Sequence, residues 1–457
     1  MPSSSTPSIE TSELSSFRRE ARDLMKLAGP VIGIQVGLMA MGCVDNIMVG
    51  HVSKEALAGA ALGHAYTSAL LFMFAGILMA LDPLVSQAKG AEEASTLSDL
   101  FQRMIVVSLA LGPLASLTMW WGDAPMRWFQ QNETIIPEAA RYARTVGSSS
   151  LAFILVVGCR QFFQALGRTK PLIVAIVIGN LINLAGNWLL VFGNWGFPKM
   201  GLYGSAWSTS ISRWIMAAAI LLAARPLMAE FWQGWNRRAH SFLEYRRIFR
   251  LGVPVSLHVS VELWVFSAVT FLMGTHGIAV QAGHNVAIVW ASLTFMVPLG
   301  MGMAAATRVG QAIGRRDQLG AKTAAKVALV VGGAIQILSA TLFLGFPAPL
   351  AAIFSEDRDT QTVAIALLPI AGCFQLFDGV QCIASGVLRG LGDTKTPALL
   401  ALGGYWGLGL PLGALLVYKT SQGFSGWWWG LCAGLGIVAV MLVWRIVTSF
   451  NRDIGRV

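Results

Sequence analysis

Residues 27–50 read LAGPVIGIQVGLMAMGCVDNIMVG, and residues 251–274 read LGVPVSLHVSVELWVFSAVTFLMG. Each run is broken by one acid, Asp45 in the first and Glu262 in the second. About 20 predominantly apolar residues suffice to carry a helix across a bilayer core, so both runs are read as membrane spans. Residues 327–355 form a third such stretch with no charge at all. The whole chain is 12% charged and 55% hydrophobic, with a mean hydropathy of +0.62. A soluble domain is roughly a quarter charged, and the sequence therefore specifies an all-α integral membrane protein.

The two opening runs are also copies of one another. Pro30, Gly50, Gly59, Gln87, Ala88 and Gly90 recur at one constant interval, without a gap, as Pro254, Gly274, Gly283, Gln311, Ala312 and Gly314. With the interval lengthened by a single position, Leu166-Gly167-x-Thr169-Lys170 matches Leu391-Gly392-x-Thr394-Lys395. Apolar segments predict twelve transmembrane helices, near 27–50, 57–86, 100–122, 138–166, 171–193, 203–224, 250–274, 282–307, 323–346, 361–388, 397–418 and 427–447. Six helices per copy is an even number, so the copies run the same way and form two six-helix lobes related by a pseudo-twofold along the membrane normal. The expected layout is a tail (1–26), an N-lobe (27–224), a loop (225–249), a C-lobe (250–450) and a second tail (451–457).

Basic residues decide the sidedness. Of the 33 lysines and arginines, 24 fall on one set of alternating loops and tails and seven on the other, with Arg160 and Arg213 inside spans. The positive-inside rule puts both termini and the 225–249 loop in the cytoplasm, as expected of a multi-pass inner-membrane protein. The N-terminal segment is Ser-rich and then basic, with no apolar core followed by a small-residue cleavage site, and reads as an uncleaved tail.

Several chemistries are set aside by what the sequence lacks. The five cysteines are odd in number, lie in apolar stretches and show no metal-ligand spacing, so neither a disulfide nor zinc is expected. There is no GxxxxGK[ST] phosphate loop, no HExxH and no other paired-histidine motif. The net charge of +10 is spread over loops rather than gathered in a patch, which argues against nucleic acid. No cofactor is expected, membrane lipid is the one surrounding partner, and a monomer suffices.

Charge inside a span costs about 2.5–3.5 kcal/mol on insertion scales and marks function by default. Glu262 is twelve residues from Arg250 and Asp378 eleven from Arg389, placing them ~18 Å and ~16 Å above the basic boundary. They share a level near the midplane. His258 lies one turn below Glu262 as a modulator, and Gln381 and Ser385 extend the face of Asp378. In the other half, Asp45, Asn187 and Thr209 reach ~28, ~26 and ~24 Å by the same measure. Asn180, Asn183 and Asn187 follow 3-and-4 spacing, giving one polar stripe that can reach Asp45. Asn180 is read as helix–helix glue and Asp82 as a partner for Arg160. Arg213 sits near the midplane with no obvious partner. Trp264 and Trp290 are candidates to line a cavity, and Trp427, Trp428 and Trp429 are read as packing or interfacial anchors.

The segments VDNIMVGH (44–51), QALGRTKP (164–171), GNLINLAGNWLLVFG (179–193), VGQAIGRRD (309–317) and FDGVQCIASGVLRGLGDTKTP (377–397) resemble the multidrug and toxic compound extrusion (MATE) transporters, particularly the bacterial NorM type. The resemblance covers about 25 to 450. It implies a two-lobed twelve-helix fold, alternating access, and export of small organic cations by antiport against sodium ions or protons. It further implies that Glu262 and Asp378, completed by Gln381, bind the coupling cation, Na+ as a metal or H+. Asp45, Asn183, Asn187 and Thr209 match an N-lobe site for protons, cations or substrate. Phe374 stands where some sodium-binding relatives carry a tyrosine, which leaves both ions open. A lipid-linked-precursor flippase would call for a cationic cavity, whereas this chain has four intramembrane acids against two bases. An intramembrane lipid-modifying enzyme would need a DDxxD-like or His-rich cluster, which is absent, and a channel is disfavoured by the repeat. A transporter rather than an enzyme is expected.

Overall fold

The structure, a computed structural model, describes residues 9–52, 54–128, 133, 135–452 and 454–457. Residues 1–8 and 453 of the two expected tails lie outside them. Helices α1 (Ile9–Gly50), α2 (Lys54–Ile77) and α3 (Leu81–Gly90) are followed by α4 (Ala94–Trp120), α5 (Asp123–Trp128), α6 (Ile136–Gly147) and α7 (Ser150–Ala165). Next come α8 (Lys170–Leu190), α9 (Leu202–Ala229), α10 (Phe242–Gly274), α11 (Ile278–Gly314), α12 (Gln318–Gly345) and α13 (Pro347–Ala352). The chain ends with α14 (Arg358–Gly390), α15 (Lys395–Ala401), a π-helical stretch Leu402–Gly409, α16 (Leu410–Lys419) and α17 (Gly426–Ser449). Among the described residues, eleven helical segments are long and apolar enough to cross a membrane, and α6 with α7 makes a twelfth if that bent pair counts as one span.

The bend between α6 and α7 is 54°. Ser148 and Ser149 occupy the break, and each hydroxyl donates to a carbonyl three residues back, Thr145 O at 2.6 Å and Val146 O at 2.8 Å. The same two carbonyls also accept the backbone amides of Ser148 and Ser149, at 3.1 and 3.0 Å, so the ladder tightens to three-residue spacing at the break, and hydroxyl back-bonding of this kind bends helices.

The repeat read from the sequence reappears in backbone detail. Gly167 and Gly392 end α7 and α14 with φ of +75° and +86°, the left-handed conformation that terminates helices. Their amides bond Gln164 O at 2.8 Å and Arg389 O at 2.9 Å, and the next residues, Arg168 and Asp393, bond Phe163 O and Leu388 O. Glu92 and Arg316, equivalent positions of the two copies, are two of the three non-glycine residues with positive φ among those described, at 60° and 62°. In each case the amide that follows returns to a carbonyl five back, Glu93 to Ala88 and Asp317 to Ala312.

Two compact units divide the chain. One comprises Gly33–Trp264, the other Met1–Ile32 with Val265–Val457. In the second unit, α17 packs on α16 and the π-helical stretch through glycines. A Cβ on Gly430 would meet the Gly413 amide nitrogen at 2.4 Å, and one on Gly434 would meet Gly404 O at 2.4 Å. This backbone-to-backbone approach is the small-residue packing that membrane helices use in place of a hydrophobic driving force. Trp428 is 1% exposed and donates its indole N–H to His284 Nδ1 at 3.1 Å. Trp427 is likewise buried, so of the tryptophan run only Trp429 reaches the surface. Of the two roles read for the run, the first two tryptophans take packing: the helix begins inside the unit, and Trp427 and Trp428 fill it.

Candidate functional site

The site in unit Gly33–Trp264 is assembled from α1, α8 and α9. Asp45 sits near the end of α1, and its carboxylate receives three hydrogen bonds from uncharged groups. Asn187 Nδ2 donates to Oδ1 at 2.6 Å, Asn183 Nδ2 to Oδ1 at 2.9 Å, and Thr209 Oγ1 to Oδ2 at 2.7 Å. Asn187 also donates to Asn183 Oδ1 at 3.3 Å. Asp45 is 8% exposed, Thr209 5%, Asn183 1% and Asn187 0%. The stripe spaced by four residues on α8 therefore faces the acid, as the helical period requires.

The close approach of α8 and α9 is what lets Thr209 reach. A Cβ on Gly186 would stand 2.6 Å from Ser208 Oγ, and Ser208 donates to Asn183 O at 2.8 Å. Seven residues, about two turns, separate Gly179 from Gly186, and at Gly179 a Cβ would meet the Met216 sulfur at 2.2 Å. Sequence reading identified the polar stripe but not this glycine seam beside it. Asn180 takes the structural role expected of it, donating to Gly37 O at 3.0 Å and thereby tying α8 to α1.

Arg213, one helical turn beyond Thr209, has an environment after all. Its guanidinium lies over the Phe153 ring at 4.9 Å and approaches Ser149 Oγ at 3.5 Å. Arg213, His64 and Tyr142 lie near enough to Asp45 to share its surroundings. Arg160 donates to Gln35 Oε1, while Asp82 is 0% exposed.

Chemically, the Asp45 cluster can accommodate both states of the carboxyl. A threonine hydroxyl donates or accepts, so Thr209 can donate to a carboxylate or rotate to accept from a protonated Oδ2. Asn187 Oδ1, buried and with no hydrogen-bond partner among the described residues, is an additional acceptor for a donor or a hard cation.

The midplane acids are placed as follows. Asp378 and Gln381 are on α14, 4% and 1% exposed, with Ser385 one turn further at 4%. Phe374, a turn before Asp378, is packed edge-on against Phe266 and Trp428 at centroid distances of 5.8 and 5.7 Å. Glu262 is half-buried on α10 and His258 is 8% exposed. By the compact division, Glu262 and His258 belong to Gly33–Trp264, and Asp378 and Gln381 to the other unit. Trp290 donates to Leu350 O at 3.0 Å and meets Phe354 edge-on, and Trp264 is exposed.

Known proteins are similar to this chain along nearly its whole length. The MatE family profile matches twice, over residues 30–189 and 254–415, and its two matches begin at the repeat-related prolines. The probable multidrug resistance protein NorM of Pseudomonas putida is 33% identical over 444 residues, covering 96% of each chain. The multidrug resistance protein PmpM of Pseudomonas aeruginosa is 30% identical, with 98% of this chain and 96% of that one covered. Among solved structures, the eukaryotic MATE transporter AtDTX14 superposes with a TM-score of 0.87 at 23% identity, over 94% of this chain and 96% of that one. An outward-facing multidrug resistance MATE family transporter gives 0.84 at 19% identity, over 94% and 97%. With one family matched across both of its repeats and NorM relatives aligned from end to end, the chain belongs to the MatE family of multidrug and toxic compound extrusion transporters, in its NorM branch.

Proposed function

We propose that this protein exports small organic, mostly cationic amphipathic compounds by ion-coupled antiport, and that Asp45 is the group on which coupling and substrate compete in the unit Gly33–Trp264. The observation carrying this reading is a buried carboxylate held by three neutral donors from two other helices. Burying an ionisable group in a span is costly, so its retention there marks a functional group. Loss of its negative charge on binding a proton or a cation changes what the cavity attracts, so ion entry weakens the hold on a cationic substrate. By linkage, substrate binding weakens the hold on the ion equally.

Asp378 with Gln381 on α14, and separately Glu262 with His258 on α10, supply further acids for the coupling ion, Na+ or H+. Their depth near the midplane and the family membership support this assignment. The abundance of basic residues on alternate loops supports an inner-membrane location with both termini in the cytoplasm.

Transport by purified protein in proteoliposomes tests the reading. Efflux of a fluorescent organic cation is expected under an imposed sodium or proton gradient, and Asp45→Asn should reduce it at least tenfold while leaving the protein folded. Undiminished gradient-driven efflux by Asp45→Asn overturns the role of Asp45. Parallel measurements on Glu262→Gln and Asp378→Asn, with each gradient imposed alone, identify the coupling ion and the acids that serve it.

A further inference from the structure

The compact units and the sequence repeats do not coincide, and the mismatch is reciprocal. Residues up to Ile32, the beginning of the first repeat's first helix, pack with Val265–Val457. Residues up to Trp264, which include the beginning of the second repeat's first helix, pack with Gly33–Trp264. Each repeat thus sends the head of its leading helix into the body of the other.

The two heads are written alike. At the interval that relates Pro30 to Pro254, Glu20, Arg22, Leu24, Lys26 and Leu27 correspond to Glu244, Arg246, Ile248, Arg250 and Leu251. Leu24 is 0% exposed and Ile248 1%. Both heads cross their host helix at a glycine, and the two glycines are again equivalent positions of the copies. A Cβ on Gly300 of α11 would lie 2.9 Å from the Ile32 amide nitrogen, and one on Gly76 of α2 would lie 2.7 Å from Ser256 Cα. Ile32 and Ser256 are themselves repeat equivalents.

Beyond each crossing an arginine of the host grips the equivalent glutamate. Arg308 of α11 donates from Nε and a terminal nitrogen to the two oxygens of Glu20 at 2.8 and 2.6 Å, with Asp23 at 3.7 Å. Arg103 of α4, 6% exposed, donates to Glu244 at 2.7 Å and to Ala239 O at 2.8 Å. Its neighbour Gln102, 0% exposed, holds the segment before α10 by bonding Gly234 O at 2.8 Å and the Asn236 amide at 2.9 Å.

We propose that Glu20–Arg308 and Glu244–Arg103 form a twin ionic latch on the basic side of the protein, fastening each repeat's leading helix to the other repeat, and that both pairs release and re-form in every transport cycle. Only the glutamates are equivalent positions, since Arg308 of α11 and Arg103 of α4 stand where the other copy has Leu84 and Val327; a structural ion pair with no part in the cycle needs neither this recurrence of one glutamate on two different hosts nor an exchange of helix heads. Partly buried, hydrogen-bonded pairs hold firmly when made, yet their hydration when broken keeps the open state within reach.

Two measurements test this, both in a cysteine-free background. In the first, Glu20→Cys with Arg308→Cys, and separately Glu244→Cys with Arg103→Cys, are bridged by a reducible bifunctional thiol reagent in active proteoliposomes. Bridging either pair is expected to stop efflux, and reduction to restore it to the level before bridging. Full-rate efflux by the bridged protein overturns the latch. The second follows labelling of Ala28→Cys, at a position 0% exposed, by a membrane-impermeant maleimide from the basic side. Adding Glu20→Gln should raise the labelling rate about tenfold, the scale of a lost charge-assisted hydrogen bond. The charge exchange Glu20→Arg with Arg308→Glu should bring the rate back down. Ala165→Cys, at a buried position in the other unit, serves as control. An unchanged rate at Ala28→Cys, or an equal rise at both positions, overturns the proposal.

Discussion

At the scale of single residues, the Asp45 cluster separates two kinds of legibility. That Asp45, Asn183, Asn187 and Thr209 belong together followed from depth along the span and from 3-and-4 spacing, because a helix rises about 1.5 Å per residue whatever surrounds it. Which atom bonds which did not follow, since side-chain direction depends on how α8 and α9 rotate against α1. Nor could Arg213 be placed, because its companions are an aromatic face and a serine at a helix break, neither of which the depth of a charge reveals. The geometry makes a graded prediction at Thr209. Thr209→Val keeps the shape but removes the donor to Oδ2, an effect on the order of 1.5–3 kcal/mol for a hydrogen bond to a charged group, whereas Thr209→Ser keeps the hydroxyl. Efflux should fall strongly in the first and stay near the normal rate in the second. Equal rates for the two variants would mean that the hydroxyl does not act on Asp45.

At the scale of elements, hydropathy located the spans, but three local departures from straight helices escaped it. The π-helical turn at Leu402–Gly409 and the glycine seams lie within apolar runs, and the break at Ser148 and Ser149 lies within a run that still averages as a span despite Arg141, Arg144 and Arg160. Hydropathy is blind to them because glycine, serine and leucine all pass as membrane residues. What distinguishes them is the contact each permits. Gly186 shows this directly, as any side chain there must displace Ser208. Gly186→Val should cost about 1–3 kcal/mol through overpacking and move Thr209 away from Asp45, lowering both thermal stability in detergent and efflux. Gly430→Leu in the α16–α17 seam should destabilise to a similar degree, although it lies far from Asp45 along the sequence and belongs to the other compact unit. Comparing efflux per folded molecule distinguishes the two. It should drop for Gly186→Val and stay close to wild type for Gly430→Leu.

At the scale of the whole molecule, the constant interval between the copies was legible because duplicated helix ends keep their capping residues. Gly167 and Gly392 are retained where the backbone must turn left-handed, and the two matches to the family begin at Pro30 and Pro254. The exchange of helix heads was not legible, since a repeat in sequence states which segments are alike and not which of them pack together. Sidedness rests on charge alone. Lysine and arginine are retained on the side of synthesis, and the 24 basic residues of one set of loops against seven of the other are the argument for the proposed orientation. The loop at His240 is anchored by its ring to Tyr245 at 2.6 Å and stacks on Trp235, whereas Asp357 caps the start of α14 through Thr360. Cysteines substituted at these two positions should therefore answer to reagents on opposite sides. In intact cells an impermeant maleimide should label Asp357→Cys and leave His240→Cys unreacted. In inside-out vesicles the pattern should invert, with His240→Cys labelled more slowly than a fully exposed thiol because Gln102 and Arg103 still hold its loop at Gly234, Asn236 and Ala239. Labelling of His240→Cys from outside intact cells would reverse the orientation, and with it the side on which the Glu20 and Glu244 latches open.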